Sequence, residues 1–119
     1  MKNGIADKSM TFAIQIVRLY QFLSKEKKEY VLSKQLLRSG TAVGALVREA
    51  EHAQSKADFL NKMNISLKEA NETLYWILLL KETDYLTEKE AQAIYQSAEE
   101  LTKMLISIVK TTKLSLGRN

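Results

Sequence analysis

Residues 32–53 carry two opposed stripes at helical spacing, one apolar and one basic. Leu32, Leu36, Ser39, Val43, Leu46, Ala50 and Ala53 recur at steps of three and four, which places them along one side of an α-helix. Lys34, Arg38, Thr41, Ala45, Arg48 and His52 recur at the same steps about half a turn away, so the opposite side is small, polar and cationic.

The same periodicity predicts helices over residues 9–24, 30–53, 56–82 and 88–115. In the first, Phe12, Ile16, Leu19 and Leu23 form the buried side, flanked by Ala13, Val17 and Tyr20. Residues 24–29 (SKEKKE) read as a solvated polar connector or a frayed helix end. Gly40 and Gly44 fall inside the second helix, where each costs about 1 kcal/mol relative to alanine, which points to close approach of another helix. Ser55 followed by Asp58 resembles a capping box with the shorter acid and starts the third helix. The link between the second and third helices is therefore very short, the geometry of an antiparallel αα-hairpin.

Leu60, Met63, Leu67, Ala70, Leu74 and Ile77 make the core stripe of the third helix, whose last two turns are apolar on every side. Ile65, Trp76, Leu79 and Leu80 point away from that stripe, and one bundle core cannot bury both sets, so they are expected at a subunit interface. Thr87 with Glu90 is a full capping box for the fourth helix, which buries Ala91, Ile94, Ala98, Leu101, Leu105 and Ile108. Four amphipathic helices on short connectors predict a single all-α domain, an up-down-up-down left-handed four-helix bundle.

Composition narrows the function classes. The chain has 119 residues, no proline and no cysteine, which removes disulfides, thiolate nucleophiles and thiolate metal sites and fits a reducing cytoplasm. No apolar run approaches the ~20 residues that span a bilayer, so no membrane partner is expected and the protein reads as cytoplasmic. Lys and Arg exceed Asp and Glu by 18 to 14, a net charge of +4 that gives weak polyanion affinity. Lys103, Lys110, Lys113 and Arg118 follow Glu100 without another acid and suit the C-terminal helix dipole as a solvated end.

Catalytic chemistry finds little support. Glu49 and His52 form one Glu-x-x-His pair, which di-iron bundles use twice, but His52 is the single histidine and points away from the core. Glu69 and Glu72, interleaved with Lys68, read as a solvated face. With no nucleophile beside a base and no glycine-rich phosphate loop, neither an enzyme nor a cofactor is expected. Tyr75 and Trp76 could stack on bases, although their apolar neighbours favour core or subunit contact. Arg38 and Arg48 lie about 15 Å apart along the helix axis, with Thr41 and Ala45 between them, leaving room for a nucleic-acid backbone or a partner helix.

Several motifs carry a resemblance: Gln35-Leu-Leu-Arg38-Ser39-Gly40-Thr41, Arg48-Glu49-Ala50, Ser55-Lys56-Ala57-Asp58-Phe59, and Lys68-Glu69-Ala70-Asn71-Glu72-Thr73 followed by Tyr75-Trp76. Over residues 10–113 the chain resembles the bacterial four-helix bundle family whose founding members are encoded in intervening sequences of 23S ribosomal RNA genes. A member that accompanies the reverse transcriptase of diversity-generating retroelements is a homopentameric barrel of bundles with a positive surface that binds nucleic acid. The resemblance implies a homopentamer, an RNA or single-stranded DNA ligand and a protein partner such as a reverse transcriptase. Ala42 and Leu46 depart from the pattern, standing where serine and asparagine are common.

The expectation is a non-enzymatic oligomer that binds nucleic acid through Lys34, Arg38, Arg48 and His52 and self-associates through Ile65, Trp76, Leu79 and Leu80. The alternative is a scaffold that recruits a protein partner without touching nucleic acid.

Overall fold

The computed structural model describes residues 4–118 and places all four helices: α1 (Ile5–Lys25), α2 (Leu32–Glu51), α3 (Lys56–Glu82) and α4 (Glu88–Ser115). Each packs on two neighbours, α1 on α2, α2 on α3, α3 on α4 and α4 back on α1, in an elongated bundle of 47 × 24 × 23 Å. The α1–α4 seam is the lightest of the four. Among the described residues no helix is long and apolar enough to cross a membrane.

Two helix starts follow the capping chemistry expected of them. Ser55 Oγ accepts the Asp58 N–H at 3.0 Å, and Thr87 and Glu90 close a reciprocal box at 3.1 and 2.9 Å. Helix α1 begins earlier than its apolar pattern, because Gly4 caps it and Asp7 lies in its first turn. Ser9, the expected start, is instead buried inside α1, its hydroxyl donating back to the Ala6 carbonyl at 3.0 Å.

The core is built from Phe12, Ile16 and Leu23 of α1, Leu36, Val43 and Val47 of α2, and matching apolar rows on α3 and α4. Two expectations for α3 are corrected. Leu67 and Leu74 are only partly buried against the core, while Ser66 and Thr73 are fully buried within it. Leu80, assigned to a subunit interface, is fully buried inside its own bundle, one turn beyond Ile77 on the same row. A side chain sealed within the protomer contacts no second subunit.

Small hydroxyls pay for their burial by hydrogen bonding. Ser66 Oγ donates to the Val43 carbonyl at 2.9 Å, and Thr73 Oγ1 lies 2.9 Å from Ser39 Oγ and 2.8 Å from the Glu69 carbonyl. Among the described residues no buried side-chain nitrogen or oxygen lacks a partner. These bonds tie α2 to α3 at close range, where bulkier residues would hold the backbones apart.

The connector expected to be solvated contains a buried carboxylate. Glu29 Oε2 accepts the N–H groups of Leu32 and Val31 at 2.9 and 3.2 Å, and Oε1 accepts that of Ser33 at 2.7 Å. It does for α2 what an N-cap side chain would do, since Val31, the cap residue, makes no side-chain bond. Burial pushes the Glu29 carboxyl pKa upward, but the backbone bonds and the Ser33 hydroxyl together outweigh it and hold the pKa below its ordinary value.

The close approach inferred from the glycines is present between α1 and α2. A Cβ at Gly40 would stand 2.7 Å from Ile16 Cγ1, and one at Gly44 would stand 3.3 Å from Ser9 Oγ. Gly40→Ala is therefore expected to be net destabilising, because overpacking against a fully buried β-branched side chain costs about 1–3 kcal/mol and exceeds the ~1 kcal/mol of helix propensity gained. Gly44→Ala, with milder crowding, should cost less. Urea melts of both variants check the order, and a stabilised Gly40→Ala would contradict this packing.

A second expectation concerns acid. Because the folded pKa of Glu29 lies below the unfolded one, its stabilisation is complete above the ordinary carboxylate range and is lost as pH falls through the lowered value. Glu29→Gln should cost about 1–2 kcal/mol at pH 7 and progressively less below about pH 4. A deficit that stays constant down to pH 2 would show that the charge contributes nothing.

Candidate nucleic-acid interface

The outer face of α2 is assembled as its spacing requires: Lys34, Arg38, Ala45, Arg48 and His52 are all exposed, with half-buried Thr41 among them. Its electrostatics differ from the expectation at one residue. Arg38 reaches across to α3, where Nη1 pairs with Glu69 Oε1 at 3.1 Å and Nη2 pairs with Glu72 Oε2. Gln35 Oε1 receives the Arg38 Nε hydrogen at 3.2 Å, and the Trp76 indole donates to Glu72 Oε2 at 2.9 Å. The two carboxylates occupy the Arg38 guanidinium, so a phosphate would have to displace them to pair with it.

The rest of the stripe is free of that competition. Among the described residues neither Lys34 nor Arg48 forms an ion pair, whereas Glu49 is engaged by Lys62 at 3.3 Å. Arg48 borders a groove between α1 and α2 of about 190 Å³, together with Met10, Ala13, Thr41 and Glu51. His52 is the exposed C-cap of α2. Among the described residues no group of three or more His, Asp or Glu is arranged to hold a metal ion.

Of the side chains expected at a subunit interface, Ile65, Trp76 and Leu79 are half-buried, and Trp76 packs against the core while its indole is tied to Glu72. An exposed apolar stripe lies elsewhere. Met10, Ile14 and Val17 are 54, 51 and 37% exposed at steps of four and three, directly opposite the Phe12–Ile16 row of α1. That stripe is legible as a second period on the first helix, and it turns Val17, expected to flank the buried side, toward the surface. Tyr75 is also exposed, with its ring edge-on to Trp76 at 5.0 Å.

The missed cluster of Gln35, Arg38, Glu69, Glu72 and Trp76 had a signal of its own. In a hairpin turning at Ser55, partners mirror one another about the turn, and Arg38 with Glu72 and Glu49 with Lys62 do so. Two of the motifs that carry the family resemblance, around residues 35–41 and 68–76, thus converge on one interhelical clamp.

These features define a small all-α bundle whose central hairpin is locked by buried hydroxyls and by an arginine shared between two glutamates. The chain belongs to the 23S rRNA-intervening sequence protein family, whose pattern matches residues 1–107. It is similar to the crystal structure of a protein of unknown function from the S23 ribosomal protein family of Bacteroides thetaiotaomicron. The two share 57% identity with a TM-score of 0.88, over 89% of this chain and 95% of that one. No curated protein matches the chain.

The clamp generates its own test. A double-mutant cycle between Arg38→Ala and Glu72→Gln is expected to give a coupling of about 0.5–1 kcal/mol, small because Arg38 is half-exposed. The coupling should shrink between low and molar salt. Trp76, the single tryptophan, reports both melts by fluorescence. A coupling of zero at low salt would show that the pair contributes no stability.

Proposed function

We propose that this chain is a non-enzymatic, self-associating four-helix bundle that binds RNA or single-stranded DNA through a basic surface, as an accessory to a nucleic-acid machine. The observation that carries the reading is the outer face of α2, where Lys34 and Arg48 stand exposed and without ion-pair partners among the described residues. The family description, which refers to intervening sequences of 23S rRNA, supports an RNA context. Arg38 enters as the brace that holds α2 on α3, and His52 extends the face by one turn.

The physics of such binding is counterion release: each cation that meets a phosphate frees a condensed ion, so affinity falls steeply with salt. One protomer with net charge +4 offers few such contacts. Self-association multiplies them by presenting several copies of the face to one strand at high effective concentration. The exposed Met10, Ile14 and Val17 stripe supplies apolar surface for assembly, and the homopentamer follows from the family resemblance. The same stripe favours a second reading, in which the bundle is a scaffold that recruits a protein partner such as a reverse transcriptase without touching nucleic acid.

Lys34→Glu with Arg48→Glu should weaken RNA and single-stranded DNA alike, by about tenfold or more at low salt, because phosphate contacts carry no sequence information. Helicity should be unchanged, both positions being exposed. Gel shifts with circular dichroism measure this, and light scattering measures assembly. Undiminished affinity in the double variant would remove the α2 face, and a native protein that binds no polynucleotide at low salt would leave the scaffold reading.

A further inference from the structure

A broader cationic face lies on the other side of α3. Along that helix Asn61, Asn64, Lys68, Asn71 and Tyr75 recur at steps of three and four, and all are exposed except half-buried Asn64. They occupy the side turned away from the core, with Lys68 one turn before Glu72, whose carboxylate is taken by Arg38. On α4, Lys103, Lys110 and Lys113 recur at steps of seven and three, the first two exposed and the third half-buried.

The register of the two helices brings these rows level. Lys56 Nζ lies 2.6 Å from Ser115 Oγ near one end, and Leu78 shares a groove with Ala91 and Tyr95 near the other. Between those markers Lys68 stands level with Lys103, and Asn61 with Lys110. Glu99, one turn before Lys103, marks the edge of the face, and beyond Glu100 the described part of α4 carries no carboxylate. Among the described residues none of Lys68, Lys103, Lys110 and Lys113 forms an ion pair, in contrast to Arg38 on α2.

We propose that this α3–α4 face is the principal docking surface for a single-stranded nucleic acid. The lysines meet phosphates, the asparagine amides donate to phosphate or sugar oxygens, and Tyr75 stacks on a base. A single strand is the occupant because only unpaired bases offer a face to Tyr75, a residue 57% exposed at the end of the row. From Asn61 to Tyr75 the row runs about 21 Å, long enough to follow an extended backbone rather than hold one isolated anion. This inference rests on the nucleic-acid reading above but assigns the main contacts to residues outside α2.

The test uses the full chain and fluorescein-labelled oligo(U), oligo(dT) and a mixed-sequence duplex, each about 30 nucleotides long, followed by anisotropy across a salt series. Lys68→Glu with Lys110→Glu should weaken both single strands by more than the Lys34→Glu, Arg48→Glu pair does, and should reduce the log–log salt slope by about 1.4, two single-strand phosphate contacts. Tyr75→Ala should weaken single strands about tenfold and leave duplex binding unchanged. Lys68→Gln with Lys110→Gln repeats the measurement if charge reversal lowers helicity. Native-like binding by the α3–α4 variants, with loss in the α2 pair, would overturn this inference and leave the nucleic-acid function standing. Equal affinity for duplex and single strands, insensitive to Tyr75, would overturn the single-strand assignment. A native protein that binds none of the three probes would sink the function and this surface together.

Discussion

The bundle depends on the brevity of the turn between α2 and α3. Four residues, His52 to Ser55, separate the last residue of one helix from the first of the next, and they are occupied by ending α2 and capping α3. A connection that short has no slack, so the register of the hairpin is set at the turn and propagates along it. Lys62 meets Glu49 nearest to Ser55, Ser66 meets the Val43 carbonyl farther along, and Thr73 with Ser39 and Glu72 with Arg38 meet farthest from the turn. A single inserted residue in either helix would rotate everything beyond it by about 100° and separate all the partners on its far side.

The two outer helices are held to this hairpin by different means. Helix α1 closes on α2 through shape: Ile16 fills the space that the missing Gly40 side chain leaves, and Ser9 lies against Gly44. Helix α4 closes on α3 through its apolar row and through Leu86, buried in the connector ahead of the Thr87 box. The α1–α4 seam has no comparable device. Grooves of about 310 and 340 Å³ run along it, lined by Thr11, Gln15 and Ser97 in one and by Arg18 and Glu90 in the other. Cohesion therefore decreases outward from the hairpin.

Much of this was legible in the chain before any coordinates, and the failures share a cause. Period and capping chemistry located four helices because both are local: Thr87 and Glu90 stand three residues apart whatever the rest of the protein does. Leu80 was misassigned because its row runs through Ser66 and Thr73. Those hydroxyls read as polar, although each is small and bonds a backbone carbonyl one turn or one helix away. The core stripe drawn through Leu67 and Leu74 leaves them out, and Leu80 was turned outward with it. Glu29 was lost in the same way, since a carboxylate in a run of lysines looks solvated until the helix it caps is in place. Side chains that settle their polarity through a partner cannot be placed by hydropathy alone.

Arg38 shows what that limitation means for function. As a member of a cationic stripe it suggested a ligand site, and its position on the exposed side of α2 agrees with the spacing. Its charge, however, is spent on Glu69 and Glu72, which the chain supplies from the neighbouring helix. Gln35, Ser39, Thr73 and Trp76 join the same few turns of the hairpin, so these residues of the resemblance hold α2 on α3. Ala42 and Leu46, where the chain departs from the pattern, are half-buried on α2, where apolar side chains are compatible with packing. It follows that Arg38, the most conspicuous cation of these motifs, serves the scaffold, and that recognition of any anionic ligand falls to lysines and arginines that the fold leaves without a carboxylate partner.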